Sequence, residues 1–101
     1  MELTQYQKIL TLMLRNSEKT WWLPQDFMQP NLGELFVGYE ASARLSELAK
    51  LYPEMIVSQR QCKFMARSLD LNAYNWFRNK LPNDLAIIFE NEHRGQAVLF
   101  K

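Results

Sequence analysis

Between Gly38 and Pro53 the chain reads Tyr39-Glu40-Ala41-Ser42-Ala43-Arg44-Leu45-Ser46-Glu47-Leu48-Ala49-Lys50-Leu51-Tyr52, and no other stretch limits the fold as tightly. Ala41, Leu45, Leu48 and Tyr52 recur at i, i+4, i+7 and i+11, which places them on one side of an α-helix and predicts a buried stripe. Gly38 supplies a turn before the helix. Pro53 ends it, because proline lacks a donor and pushes the preceding residue out of helical geometry. The outward side carries Tyr39, Glu40, Ser42, Ala43, Arg44 and Glu47. A helix that is only wetted usually presents long charged residues there. This one begins with small and hydrogen-bonding groups that another surface can approach closely.

The segments before it read as two further helices. Thr4 is placed to cap a first helix running to about Arg15, with Tyr6, Ile9, Leu10, Met13 and Leu14 on its apolar face. Asn16-Ser17-Glu18-Lys19 is a polar loop, and Trp21-Trp22-Leu23 a short extended piece with one tryptophan in the core and the other at its edge. Pro24 opens a second helix at the position where a missing N–H costs nothing. Pro30 keeps that helix short, with Phe27 and Met28 as its core anchors, and Asn31-Leu32-Gly33 makes a turn. Three helices by residue 52, the middle one short, form a tri-helical arrangement.

After Pro53 the apolar period changes from helical to alternating. Met55-Ile56-Val57-Ser58 and Phe64-Met65-Ala66-Arg67-Ser68-Leu69 read as paired strands around the polar tip Gln59-Arg60-Gln61-Cys62-Lys63. The tip has no glycine, so a loop longer than a tight two-residue turn is expected. Asp70 or Asn72 caps a fourth helix over about residues 73–81, which Pro82-Asn83 ends. Leu85-Ala86-Ile87-Ile88-Phe89 and Ala97-Val98-Leu99-Phe100 around Asn91-Glu92-His93-Arg94-Gly95 then read as a second hairpin.

Charge distribution sharpens the reading. The whole chain carries a net charge of +1. Glu34, Glu40, Glu47 and Glu54 against Arg44 and Lys50 give −2 over residues 34–54. Arg60, Lys63, Arg67, Arg78 and Lys80 against Asp70 give +4 over residues 55–80. A local basic segment in a nearly neutral chain suits a directed contact with phosphates, or else makes a solvated basic face.

Several function classes drop out. No apolar run approaches the roughly 20 residues that span a bilayer, and the N-terminus lacks a signal peptide's apolar segment. The one cysteine, Cys62, allows neither an internal disulfide nor a cysteine zinc site, so a cytoplasmic protein is expected. His93 is the only histidine and reads as a solvent-exposed turn residue. With Cys62 alone beside it, no metal cluster or histidine-based triad is available, and three glycines form no phosphate-binding loop. No enzymatic activity, cofactor, metal or small-molecule substrate is expected.

Ala43-Arg44-Leu45-Ser46-Glu47-Leu48, followed by the paired strands with Lys63, Phe64 and Arg67, resembles the small winged helix-turn-helix domains common in phage and prophage genes. The resemblance covers about residues 4–70, and Cys62 stands where that family usually carries glycine. It implies an α+β fold with a three-helix core and a two-stranded wing over residues 1–70. Residues 71–101 form an added helix and hairpin. Double-stranded DNA is the implied partner, with a role in transcription or replication control. The recognition helix, about residues 39–52, would enter the major groove. Tyr39, Glu40, Ser42, Ala43 and Arg44 are then its contact residues, and Arg60, Lys63 and Arg67 the phosphate contacts of the wing, about residues 55–69. Glu40, Glu47 and Glu54 repel phosphates, which supports an alternative: the same fold as a protein-interaction module. The apolar pattern of the expected C-terminal hairpin is more than one small sheet buries, so a homodimer contact through residues 71–101 is also expected.

Overall fold

Thr4 opens the first helix with a reciprocal cap. Its Oγ1 accepts from Gln7 N at 3.2 Å, while Gln7 Oε1 accepts from Thr4 N at 2.8 Å, so two otherwise orphaned donors are satisfied. The computed structural model describes residues 3–16, 19–61, 63–70 and 80–99, with backbone alone for Gln61 and 93–99. In it α1 runs Gln5–Arg15, as the cap and the apolar spacing predict. Ile9, Leu10, Met13 and Leu14 are buried, and Leu12 and Thr11 join them. The Thr11 hydroxyl returns to Gln7 O at 2.7 Å, which removes the cost of burying it.

Trp22 is buried and Trp21 half-buried, the division expected of the pair. The Trp22 ring stacks on Phe27 with centroids 5.0 Å apart, and its backbone exchanges two 2.8 Å hydrogen bonds with Arg67. Prolines open two short 3-10 segments, Pro24–Phe27 and Pro30–Leu35, the second broken at Gly33, where φ is +60°. The expected second helix is thus a single turn with Phe27 buried at its end. Phe27 O accepts from both Val37 N at 3.0 Å and Gly38 N at 3.4 Å, which fixes how the chain enters the next helix. Gly38 lies at φ +90°, a conformation that side-chain-bearing residues rarely adopt.

Helix α2 spans Ala41–Leu51. It starts two residues later than the expected recognition helix, because Tyr39 and Glu40 complete the turn that closes with Ala41 N on Gly38 O. Ala41, Leu45 and Leu48 are buried. Tyr52, the fourth residue of the stripe, is half-buried, and burial together with the Asp84 carboxylate pushes its hydroxyl pKa up.

Strands β1, Ile56–Gln61, and β2, Phe64–Leu69, pair antiparallel from Ile56↔Leu69 to Gln61↔Phe64. Only positions 62 and 63 separate them, so the expected longer loop is replaced by continued pairing. An antiparallel ladder accepts polar residues on its solvent side, and Gln59, Arg60 and Gln61 therefore belong to β1 rather than to the tip.

The largest departure is C-terminal. Residues 83–99 form one helix, α3 (Asn83–Leu99), not the expected hairpin. Pro82 O accepts from Leu85 N at 3.1 Å and Ala86 N at 2.9 Å, so Pro82 starts this helix. Leu81, Leu85, Ile88 and Phe89 are buried, and the spacing i, i+4, i+7, i+8 is helical. The run of apolar residues at 85–89 imitates a strand because Ile87, 51% exposed, lies among buried neighbours. Helix α3 packs on α1, held at its rim by Gln7 Nε2 on Asp84 O at 3.0 Å and by an Arg15–Glu92 ion pair at 3.1 Å. His93 accordingly falls within α3 rather than in a turn. The expected helix over residues 73–81 lies almost wholly outside the described residues. The strand-edge basis for a homodimer through residues 71–101 goes with the hairpin over 83–99. The architecture is mixed α and β, with helices packed around one core and a single two-stranded antiparallel sheet among the described residues.

Candidate nucleic-acid interface

At about 100° per residue, the buried stripe of α2 divides its remaining surface into two flanks. Glu40, Arg44 and Glu47 fall on one, Ser42 and Ser46 on the other, and Ala43 and Lys50 on the back, opposite the core. The packing of the two flanks differs.

The acidic flank faces α1. Arg44 Nη1 donates to Glu47 Oε2 at 2.9 Å and to the Tyr6 hydroxyl at 3.4 Å, while its Nη2 lies 3.6 Å from Glu40 Oε2. The guanidinium carbon sits 5.9 Å from the centre of the Tyr6 ring. Tyr6 in turn donates its hydroxyl to Glu47 Oε2. Two carboxylates, one guanidinium and one phenol thus meet across the α1–α2 seam, while Arg44 Nε is buried there without a hydrogen-bond partner. Arg44 is therefore an intrahelical partner of Glu40 and Glu47 here.

The other flank faces the hairpin. Arg67 Nη1 donates to Ser58 Oγ on β1, and its Nη2 donates to Ser46 Oγ on α2 at 3.3 Å. Burial lowers the Arg67 pKa from its ordinary value. Directly opposed residues share a sheet face, so the register puts Ser58 with Arg67 and Arg60 with Met65 on one side of the hairpin. The Arg67–Ser46 bond turns that side toward α2. Arg60 and Lys63 are exposed, and the α2-facing side of the hairpin carries no carboxylate.

Of the residues expected to read bases, Tyr39 is 96% exposed, and Glu40, Ser42 and Ala43 are exposed as well. Arg44 is drawn back into its ion-pair network. Ser46, half-buried beside the hairpin, and Lys50, exposed, extend the same surface. They follow Ser42 at i+4 and i+8, a periodicity present in the sequence that an expectation restricted to the first two turns leaves out. Val57, Phe64 and Met65 are exposed on the hairpin, at 42%, 49% and 42%. Among the described residues no three histidine, cysteine, aspartate or glutamate side chains group closely enough to hold a metal ion, and no helix is long and apolar enough to cross a membrane. No protein-family model, curated protein or solved structure matches the chain.

Proposed function

We propose that the protein is a non-enzymatic, winged-helix double-stranded DNA-binding protein of phage or mobile-element type, acting in transcription or replication control. One observation carries the reading. Arg67 joins Ser46 of α2 to Ser58 of β1, so the small, hydroxyl-bearing face of the helix and the exposed cations of the hairpin belong to one surface. On this reading α2 lies in the major groove by its N-terminal half. Ser42 donates to or accepts from base edges, Ala43 meets a thymine methyl, and Tyr39 meets sugar or base at the groove wall. The hairpin is the wing, and Arg60 and Lys63 hold phosphates. The two-way Trp22–Arg67 backbone pairing supports the reading further, since it ties the segment between the first two helical pieces to the hairpin.

The test is duplex binding measured by fluorescence anisotropy across a salt series. Affinity should fall steeply with salt, and Arg60→Ala/Lys63→Ala should weaken binding and make that fall shallower by about 1.8 in log–log slope, as two phosphate contacts are lost. No duplex binding at low salt sinks the proposal. The exposed Val57, Phe64 and Met65 favour a second reading, a protein-interaction module that uses the hairpin as its docking element. On that reading the double substitution leaves partner capture intact, while Phe64→Ser abolishes it.

A further inference from the structure

We infer that Arg67 is a strut that sets the angle between α2 and the β1–β2 hairpin, and that it makes no contact with phosphate. This inference rests on the DNA-binding reading above and changes the role that the resemblance implied for Arg67.

Three observations carry it. The guanidinium is already engaged at both ends, Nη1 with Ser58 Oγ and Nη2 with Ser46 Oγ at 3.3 Å. The backbone of the same residue is fixed independently, with its N–H on Trp22 O and its C=O on Trp22 N, both at 2.8 Å. Directly across the ladder it faces Ser58, one same-face step from the Arg60–Met65 pair that carries the exposed cation. One side chain therefore links the helix to the hairpin, while its own backbone is anchored to the segment that leads into Phe27. Without the Arg67 side chain, the hydrogen bonds that join Ser58 of the hairpin to Ser46 of α2 are gone. The Arg60 end of the hairpin then moves relative to the groove-facing helix. A planar guanidinium can donate to two hydroxyls at once, whereas a lysine ammonium on a flexible stem lacks that fixed fork.

A strut and a phosphate clamp give different results when the charge is kept. In Arg67→Lys, a clamp would keep most of its affinity and its salt dependence. A strut loses affinity on the order of tenfold, the scale of a lost charge-assisted hydrogen bond, with the log–log salt slope unchanged. Arg60→Gln is the control, and its slope should become shallower by about 0.9, as one phosphate contact is lost. Ser46→Ala/Ser58→Ala removes the strut's two seats and leaves every charge in place. It should weaken binding to a similar degree, and adding Arg67→Lys to it should cost little more, because the three residues act as one unit. Unchanged or tighter binding in Ser46→Ala/Ser58→Ala overturns the inference, since a freed guanidinium would then be the better clamp. A slope shallower by about 0.9 in Arg67→Gln overturns it as well.

If the wild-type chain binds no duplex, the DNA reading fails, and the strut is judged without DNA. A nitroxide on Cys62, the single cysteine, broadens backbone amide signals according to distance. Broadening along α2 should change in Arg67→Lys and in Ser46→Ala/Ser58→Ala alike. The same pattern in all three proteins overturns the strut.

Discussion

Arg44 and Arg67 are half-buried arginines on opposite flanks of one helix, and their partners differ in chemistry. Arg44 meets two carboxylates and a phenol on the α1 side, and Arg67 meets two hydroxyls on the hairpin side. The contrast shows that the charge of a segment is not the charge of a face. Residues 34–54 sum to −2, which taken alone argues against a DNA reader. Yet Glu40 and Glu47 lie together on one flank and share an arginine, and the flank next to Arg60 carries serines. On the proposed reading, this partition lets a mildly acidic helix sit beside a basic wing.

The bluntest way to break the comparison is to remove the ground both flanks stand on. Leu48 is fully buried beneath α2, so Leu48→Ala should cost about 2–5 kcal/mol, read as a lower midpoint in urea unfolding with little change in slope. A loss below about 1 kcal/mol would mean that α2 collapses onto the gap and is less firmly seated than its burial indicates.

A sharper cut acts on one flank only. Arg60→Gln/Lys63→Gln should leave unfolding almost unchanged, because both side chains are exposed, while the salt slope of duplex binding becomes shallower by about 1.8 for two phosphate contacts. An unchanged slope would remove the hairpin from the interface.

The matching cut on the other flank is Tyr6→Phe. It deletes the hydroxyl that donates to Glu47 and accepts from Arg44, and should cost about 0.5–1.5 kcal/mol of stability. Duplex affinity should not move, since on the proposed reading this network faces away from DNA. A change in affinity larger than the change in stability would show that the two flanks are coupled through the helix.

Much of this was open to inspection in the sequence, and the unreadable parts share a cause. The Thr4–Gln7 cap and the Ala41–Leu45–Leu48 stripe are local patterns, and local geometry alone determines them. So is the strand character of 56–58 and 64–69. Residues 83–99 are different. Leu85 to Phe89 holds both an apolar run and a helical spacing, and only packing against α1, which buries Leu85, Ile88 and Phe89 but not Ile87, decides between them. Pro82 is ambiguous in the same way, since proline suits the end of one element and the start of the next. The candidate site divides along the same line. Ser42, Ser46 and Lys50 are legible as one helical face, but which flank of α2 meets α1 is a tertiary fact. The Arg44–Tyr6 and Arg67–Ser46 contacts span 38 and 21 residues of sequence, beyond the reach of any periodicity.

The smallest predicted effect is also the finest discriminator. Glu40 stands at the mouth of α2, its side chain 62% exposed and its carboxylate 3.6 Å from Arg44. An exposed i,i+4 pair is worth only about 0.2–0.5 kcal/mol, so Glu40→Gln should barely change unfolding. Its effect on duplex binding depends on where the acidic flank points. If that flank turns away from the phosphates, losing one negative charge there shifts affinity by no more than about twofold, the equivalent of that small pair energy. If the first turn of α2 instead brings Glu40 against the backbone of the duplex, the carboxylate is repelled in the wild type, and its removal tightens binding several-fold, most at low salt where screening is weakest. Glu47 cannot make this distinction, because Tyr6 and Arg44 already hold its carboxylate. Glu40 is bound by a single long ion pair and lies next to the fully exposed Tyr39. A several-fold gain in Glu40→Gln would therefore tilt the helix axis in the groove toward its acidic flank, and Ser46 and Lys50 would leave the interface.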